Sequence, residues 1–229
     1  DADGVVSLST GGDTTVSSIT AGDDVDVTPT GNLTVMDITA SNQAVSLDVG
    51  GDIVRGRDAT NVTATSLDIT ASSSVGAAAA LQTAVDSLDI ASSGVVNVAE
   101  VDGVSINSLS SDAAVTLSTA GDTTATHITA GGDVALTVTG ADSDLSVGSI
   151  TAADQAITLT VGGVITDGDA ASDLSASSLN ITAAGVGSST DALDTTVGSV
   201  TVSSTGGVYL KETDDLTVLR ISAADQTVG

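Results

Sequence analysis

Short runs of alternating apolar and polar residues recur along this chain. Leu33 and Val35 share a face, as do Val45, Leu47 and Val49; the pattern returns at Leu145 and Val147 and at Ile157, Leu159 and Val161. A period of two bounded by Gly, Asp and Asn is the mark of a half-buried strand. At four places the spacing steps from two to three: Val35 to Ile38, Ile106 to Leu109, Val147 to Ile150 and Val218 to Ile221. Such a step keeps the next apolar side chain pointing inward while the backbone bends. The predicted unit is strand, bend, short strand, turn, strand, turn: a closed coil with about three faces.

The coil repeats at two scales. Residues 8–22 (LSTGGDTTVSSITAG) return at 117–131 (LSTAGDTTATHITAG), 109 positions later. Residues 38–51 (ITASNQAVSLDVGG) return at 150–163 (ITAADQAITLTVGG), and 66–71 (SLDITA) at 178–183 (SLNITA), both 112 positions later. Farther on the match weakens to its apolar frame, with Leu81, Val85, Leu88 and Ile90 facing Leu193, Val197, Val200 and Val202. One unit therefore occurs twice, over about 1–111 and 112–229 of what is expected to be a single continuous solenoid. Within it an Ile-Thr-Ala-like corner falls at Ile19, Ile38, Ile69, Ile90, Leu109, Ile128, Ile150, Ile181, Val202 and Ile221. Seven of the nine intervals are 19–22 residues and two, in matching places, are 31. The reading is an all-β parallel β-solenoid of about ten rungs, one of them enlarged in each copy. An antiparallel sandwich or barrel is the alternative that short, evenly spaced strands leave open. Outward threonines (Thr20, Thr39, Thr70, Thr129, Thr151, Thr182) are expected to form surface ladders. The helix-friendly stretch 76–85 (GAAAALQTAV) has no helical counterpart in the second copy and reads as a loop excursion. Both ends fall inside the repeat, so the segment is expected to adjoin further repeats or to stack end to end on other copies.

Composition narrows this picture. Phe, Trp and Cys are absent and Tyr, Met, His and Pro occur once each, yet 41% of residues are hydrophobic and mean hydropathy is +0.36. That is too apolar for a disordered acidic tail and suits a narrow aliphatic core. Thirty acidic residues oppose four basic ones, a net charge of -26. No basic patch exists to neutralise phosphate, which excludes nucleic acid as a partner, and no apolar run suits direct membrane insertion. Without cysteine there is neither a disulfide framework nor a thiolate metal site.

Catalytic chemistry is sparsely supplied. His127 is the sole histidine and its counterpart in the first copy is Ser18, so no duplicated nucleophile–base pair exists. Arg55 and Arg57 lie in the long interval of the first copy, where the second carries Asp167-Gly168-Asp169-Ala170. Hard cations seek clustered carboxylates. The calcium candidates are Asp23, Asp24 and Asp26, then Asp142 and Asp144, then Asp167, Asp169 and Asp173. No cofactor is required by the pattern, and Asp beside Gly serves equally as a turn residue.

The phrase ITA-x-[DN]-Q-A-[VI]-x-L-x-V-G-G, at 38–51 and 150–163, resembles the repeats of filamentous haemagglutinin-like and autotransporter-like bacterial surface adhesins. The resemblance implies a right-handed parallel β-helix exported to the cell surface for adhesion or matrix formation. It transfers no functional residue. The expected function is a non-catalytic structural or adhesive segment of a large extracellular protein. Its expected partners are flanking repeats or further copies of itself, and a cell-surface glycan or protein. A self-assembling filament or surface-layer subunit is the alternative, and a calcium-dependent polysaccharide-degrading β-helix enzyme a lower one. The intervals around 52–63 and 164–175, where the copies differ in charge, are where specific binding is expected first.

Overall fold

The first wall of the molecule begins with Val6–Thr10, on which Val25–Pro29 lies in parallel register. Residues 45–49, 66–71, 87–92 and 105–111 follow on the same wall. The structure, a computed structural model, describes residues 2–168 and 173–224. Among these are 23 strands and no helix; every pairing between them is parallel, and together they form a β-solenoid of about 11 turns. At about 4.8 Å per turn the rod is roughly 50 Å long.

Opposite the straight first wall runs a bent one. Thr14–Val16 and Ile19–Thr20 carry 33–35 and 38–39, then 53–55 and 62–64, then Val75 and 83–85. The three-residue step in the sequence is this bend. One straight face and two short ones give the three-faced coil that the alternation predicts.

Midway the walls exchange character. Val96–Glu100 lies straight across Val75 and 81–83, and straight strands continue above it through Val115–Thr119, Val134–Val138, 157–161 and 179–182. The first wall meanwhile bends, with 104–106 and 109–111 carrying 123–125 and 128–130. Eleven turns shared by two copies give five and a half turns each. The second copy therefore sits half a turn around the axis from the first.

The expected coil of about ten rungs is refined to about 11 turns. Ile38 stacks on Val62, 24 residues along, while Ile69 stacks on Leu47 of the other wall. The 31-residue interval thus spans about one and a half turns rather than one enlarged rung, and two such intervals turn ten rungs into eleven. The threonines divide accordingly. Thr20 and Thr39 stack on the bent wall, as do Thr129 and Thr151, but Thr70 and Thr182 stand on straight walls.

The core is a set of axial aliphatic columns such as Val25, Val45, Leu67, Leu88 and Ile106, all buried. Each large aliphatic contributes roughly 1.5–3 kcal/mol of burial before chain entropy is set against it. Stretch 76–85 is only partly the expected excursion. Residues 81–85 open the strand Leu81–Ser92, because Leu81 and Val85 alternate inward onto the core.

Corners between walls are built alike in the two copies. Asn42 and Asp154, equivalent across 112 positions, adopt φ of 65° and 61°. Asn and Asp tolerate this left-handed conformation best among residues with a side chain. The amide of Ala44 donates to Asp24 Oδ1 (3.0 Å) and that of Ala156 to Asp133 Oδ1 (2.9 Å), each from the turn below. The [DN]-Q-A phrase of the repeat is therefore the corner itself.

Candidate functional site

Four of the eight predicted calcium ligands lie in the turns and strands of the coil, three of them hydrogen-bonded to its backbone. Asp24 Oδ1 accepts the Ala44 amide, and Asp23 Oδ1 accepts the Asp24 amide at 3.0 Å. Asp26 points outward between Ser7 and Ser46. Asp144 Oδ1 accepts the Val164 amide at 2.8 Å, while its own amide donates to Asp122 Oδ1 at 3.0 Å. The same ladder climbs the first copy, from Asp13 to the Asn32 amide, from Asn32 Oδ1 to Asp52, and from Asp52 to Ser74, at 2.8, 2.8 and 2.9 Å. Hydrogen bonds to Ser73 and Ser74 hold the Asp52 carboxyl below its usual range. A carboxylate in a turn thus supplies an acceptor to the next turn, which explains why Asp follows Gly so often here.

Of the remaining candidates, Asp142 is exposed in a turn and Asp167 ends the strand Val164–Asp167. Asp169 lies outside the described residues. Asp173 is fully buried, and its Oδ2 accepts the Asp194 amide at 2.8 Å. Its counterpart Asn61 is equally buried. The Asn61 Nδ2 donates to the Val35 carbonyl (3.1 Å) and its Oδ1 accepts the Gln82 amide (3.0 Å). Among the described residues no three His, Cys, Asp or Glu side chains are grouped to hold a metal ion. In the charged interval of the first copy, Arg55 pairs with Asp58 and Arg57 with Asp37, both at 3.3 Å. His127 is exposed beside Thr129 Oγ1, 3.2 Å away.

The most unusual side chains are ones that the sequence analysis passed over. Glu100 and Glu212 are the chain's only glutamates and stand 112 positions apart, the spacing of the repeat. Each ends an interior column of the bent wall. The first column runs Ile19, Ile38, Val62, Thr83, Glu100, and the second Ile128, Ile150, Leu174, Thr195, ending at Glu212. An aliphatic column therefore turns polar at the end of each copy.

Geometry explains why. The strand above 81–83 stops at Glu100, so Val85 has no further strand above it. The Glu100 carboxylate fills that role. Its Oε1 accepts the amides of Val85 (3.2 Å) and Val101 (3.0 Å), and Oε2 accepts Thr83 Oγ1 at 2.6 Å. Glu212 repeats this with Thr195 Oγ1 (2.9 Å), the Val197 amide (3.3 Å) and the Thr213 amide (2.9 Å). Glu100 is only 5% exposed. Burial raises its pKa to about 7, and a hydrogen bond with the Asp102 carboxyl pushes the same way, against the lowering donors Thr83, Val101 and Val85. Asp214, the counterpart of Asp102, is raised too, by desolvation and by Glu212 beside it.

Glu100 can hold and release a proton near neutrality. Glu100 faces the interior of the coil, however, out of reach of any substrate lying on the outer surface. A shallow groove of about 330 Å³ runs along the outside past Asp86, Asp122 and Asp144; two of these carboxylates already serve the ladder. The chain matches no family model, and neither the curated proteins nor the solved structures contain a match to it.

Proposed function

We propose that this segment is a non-catalytic structural or adhesive rod within a large, secreted or cell-surface repetitive protein. The observation that carries the reading is the joint between the two copies. One copy passes into the next through an uninterrupted core, with a duplicated Glu–Thr cluster closing each unit. Such a joint lets units be added without a new fold, because each needs only its neighbour. The outer surface supports the reading as well. It bears turn carboxylates and hydroxyls in axial rows, and its most perturbed acid faces inward, away from any ligand. Flanking repeats are the natural partners on this account, with a cell-surface glycan or protein held along the rod.

The test is immunogold labelling of intact, unpermeabilised source cells with antibodies to the segment, alongside assays on pectin- and alginate-like polymers. Surface labelling without polymer cleavage is the expected result. Label confined to the cell interior, or turnover of an acidic polysaccharide, overturns the proposal.

A further inference from the structure

The groove on the outside of the coil straddles the joint between the two copies. Its floor is a row of hydroxyls in register on successive turns: Ser105 of the first copy, then Thr124, Ser146 and Thr166 of the second. All four are half-buried or exposed. Asp122 and Asp144 each stand two residues ahead of a floor hydroxyl, and Asp86 one residue ahead of Ser87, which pairs with Ser105. The three carboxylates therefore flank one edge of the row, all exposed, and none of the chain's four Lys and Arg residues is in the lining. The ladder does not call for this charge by itself. Asn32, the counterpart of Asp144 in the first copy, does the same work from a neutral amide, its Oδ1 accepting the Asp52 amide at 2.8 Å. Nor does the coil dictate the hydroxyl row. In the first copy the row runs Thr15, Thr34 and then breaks at Val54, the counterpart of Thr166.

We propose that this groove binds a chain of amino sugars lying along the axis, its hydroxyls on the floor row and its ammonium groups against the carboxylates. The inference rests on the adhesive half of the proposed function, to which it gives a site and a class of glycan. A Ser or Thr hydroxyl both donates and accepts, which matches a polyhydroxylated partner. Each turn rises about 4.8 Å, close to the length of one sugar unit, so successive sugars meet successive hydroxyls. Carboxylates beside the row favour a cation, and the net charge of -26 repels an acidic glycan. A basic peptide fits the groove less well. It would add as a strand only at an unpaired sheet edge, whereas the floor strands 123–125 and 145–147 are paired on both sides. Apolar pockets for its side chains are lacking too, since Val104 is the only aliphatic residue in the lining.

The probe is a β-linked tetramer of glucosamine, titrated into the full chain by NMR at about pH 5.5, where its amines and the groove carboxylates are both charged. Amide shifts should change at residues 103–105, 122–124 and 144–146. An exposed ion pair is worth a few-fold in affinity, so Asp122→Asn with Asp144→Asn should weaken binding roughly tenfold. Asparagine keeps an acceptor for each ladder amide, and an unchanged melting temperature checks that the fold is kept. Asp13→Asn with Asp26→Asn removes the same charge outside the groove and should weaken binding no more than about twofold in 0.15 M NaCl. Thr124→Val, which takes one hydroxyl from the floor, should also weaken it, by roughly threefold or more. The N-acetylated tetramer, with hydroxyls but no charge, should bind about tenfold more weakly. Tetralysine, with charge but no hydroxyls, should bind more weakly than the glucosamine tetramer. Equal losses from the two aspartate pairs would assign the binding to a diffuse field and overturn the inference. Tetralysine binding as tightly as the sugar overturns it too, as does no binding by the parent chain. Each of these results leaves surface labelling of the rod as a separate test, so the inference can fail while the structural reading stands.

Discussion

Glu100 holds its proton near neutrality because ionising it strands a charge among aliphatic columns, beside a second carboxyl. A carboxyl whose folded pKa lies above its unfolded value stabilises the fold fully below about pH 4.5, and that contribution fades as pH rises through about 7. Glu100→Gln keeps an acceptor for the Val85 amide and removes the charge. Its melting temperature relative to the parent should therefore climb between pH 4.5 and 8, a gain on the order of 1 kcal/mol at the upper end. A difference that stays flat with pH would contradict the assignment. Glu100→Leu, by contrast, orphans the Val85 amide and the Thr83 hydroxyl and should cost about 1–3 kcal/mol even at pH 5, measured by urea unfolding. Both glutamates were visible in the sequence at the repeat spacing, yet nothing there marked them as special. What singles them out is the missing strand above Val85, a property of the stacked coil rather than of neighbouring residues. The same holds for Asp24 and Asp144. Sequence alone shows a carboxylate near others, whereas its partner is an amide 20 residues along, on the next turn.

Strands and bends were legible because alternation and its three-residue step are local signals. The wall to which a strand belongs was not. An inward Ile followed by an outward Thr and an inward Ala serves equally on a bent wall, as at Ile38, or on a straight one, as at Ile69. The phrase therefore hid the half-turn offset, and the 31-residue interval looked like one large rung. The corner in that phrase can be tested as an element. Asp154 sits at φ 61°, where a β-branched side chain is strained and glycine is free. Asp154→Val should destabilise the rod by about 1–3 kcal/mol in urea unfolding, while Asp154→Gly should change it far less. Equal losses from the two would mean that the aspartate side chain, and not the backbone angle, shapes the corner.

At the scale of the molecule the two copies place their charges differently. The straight wall of the first copy carries Asp26, Asp48, Asp68 and Asp89 outward, and the equivalent positions of the second hold Ala135, Thr160, Asn180 and Thr201. Asp68 and Asp89 are in direct register on adjacent turns. Like charges about 5 Å apart in a watery setting repel by on the order of 1 kcal/mol, and the net charge of -26 adds a diffuse term. Raising NaCl from 0.01 to 0.15 M shortens the screening length from about 30 to about 8 Å. The melting temperature should rise over that range, and Asp68→Asn should shrink the rise, because it removes one member of this in-register pair. Hydrogen exchange should place the gain chiefly in strands 45–49, 66–71 and 87–92. If screening is the cause, calcium and NaCl matched in ionic strength should stabilise to a similar degree. A melting temperature indifferent to NaCl but raised by calcium would locate the effect in a discrete ion site, with Asp23, Asp24 and Asp26 the first positions to substitute.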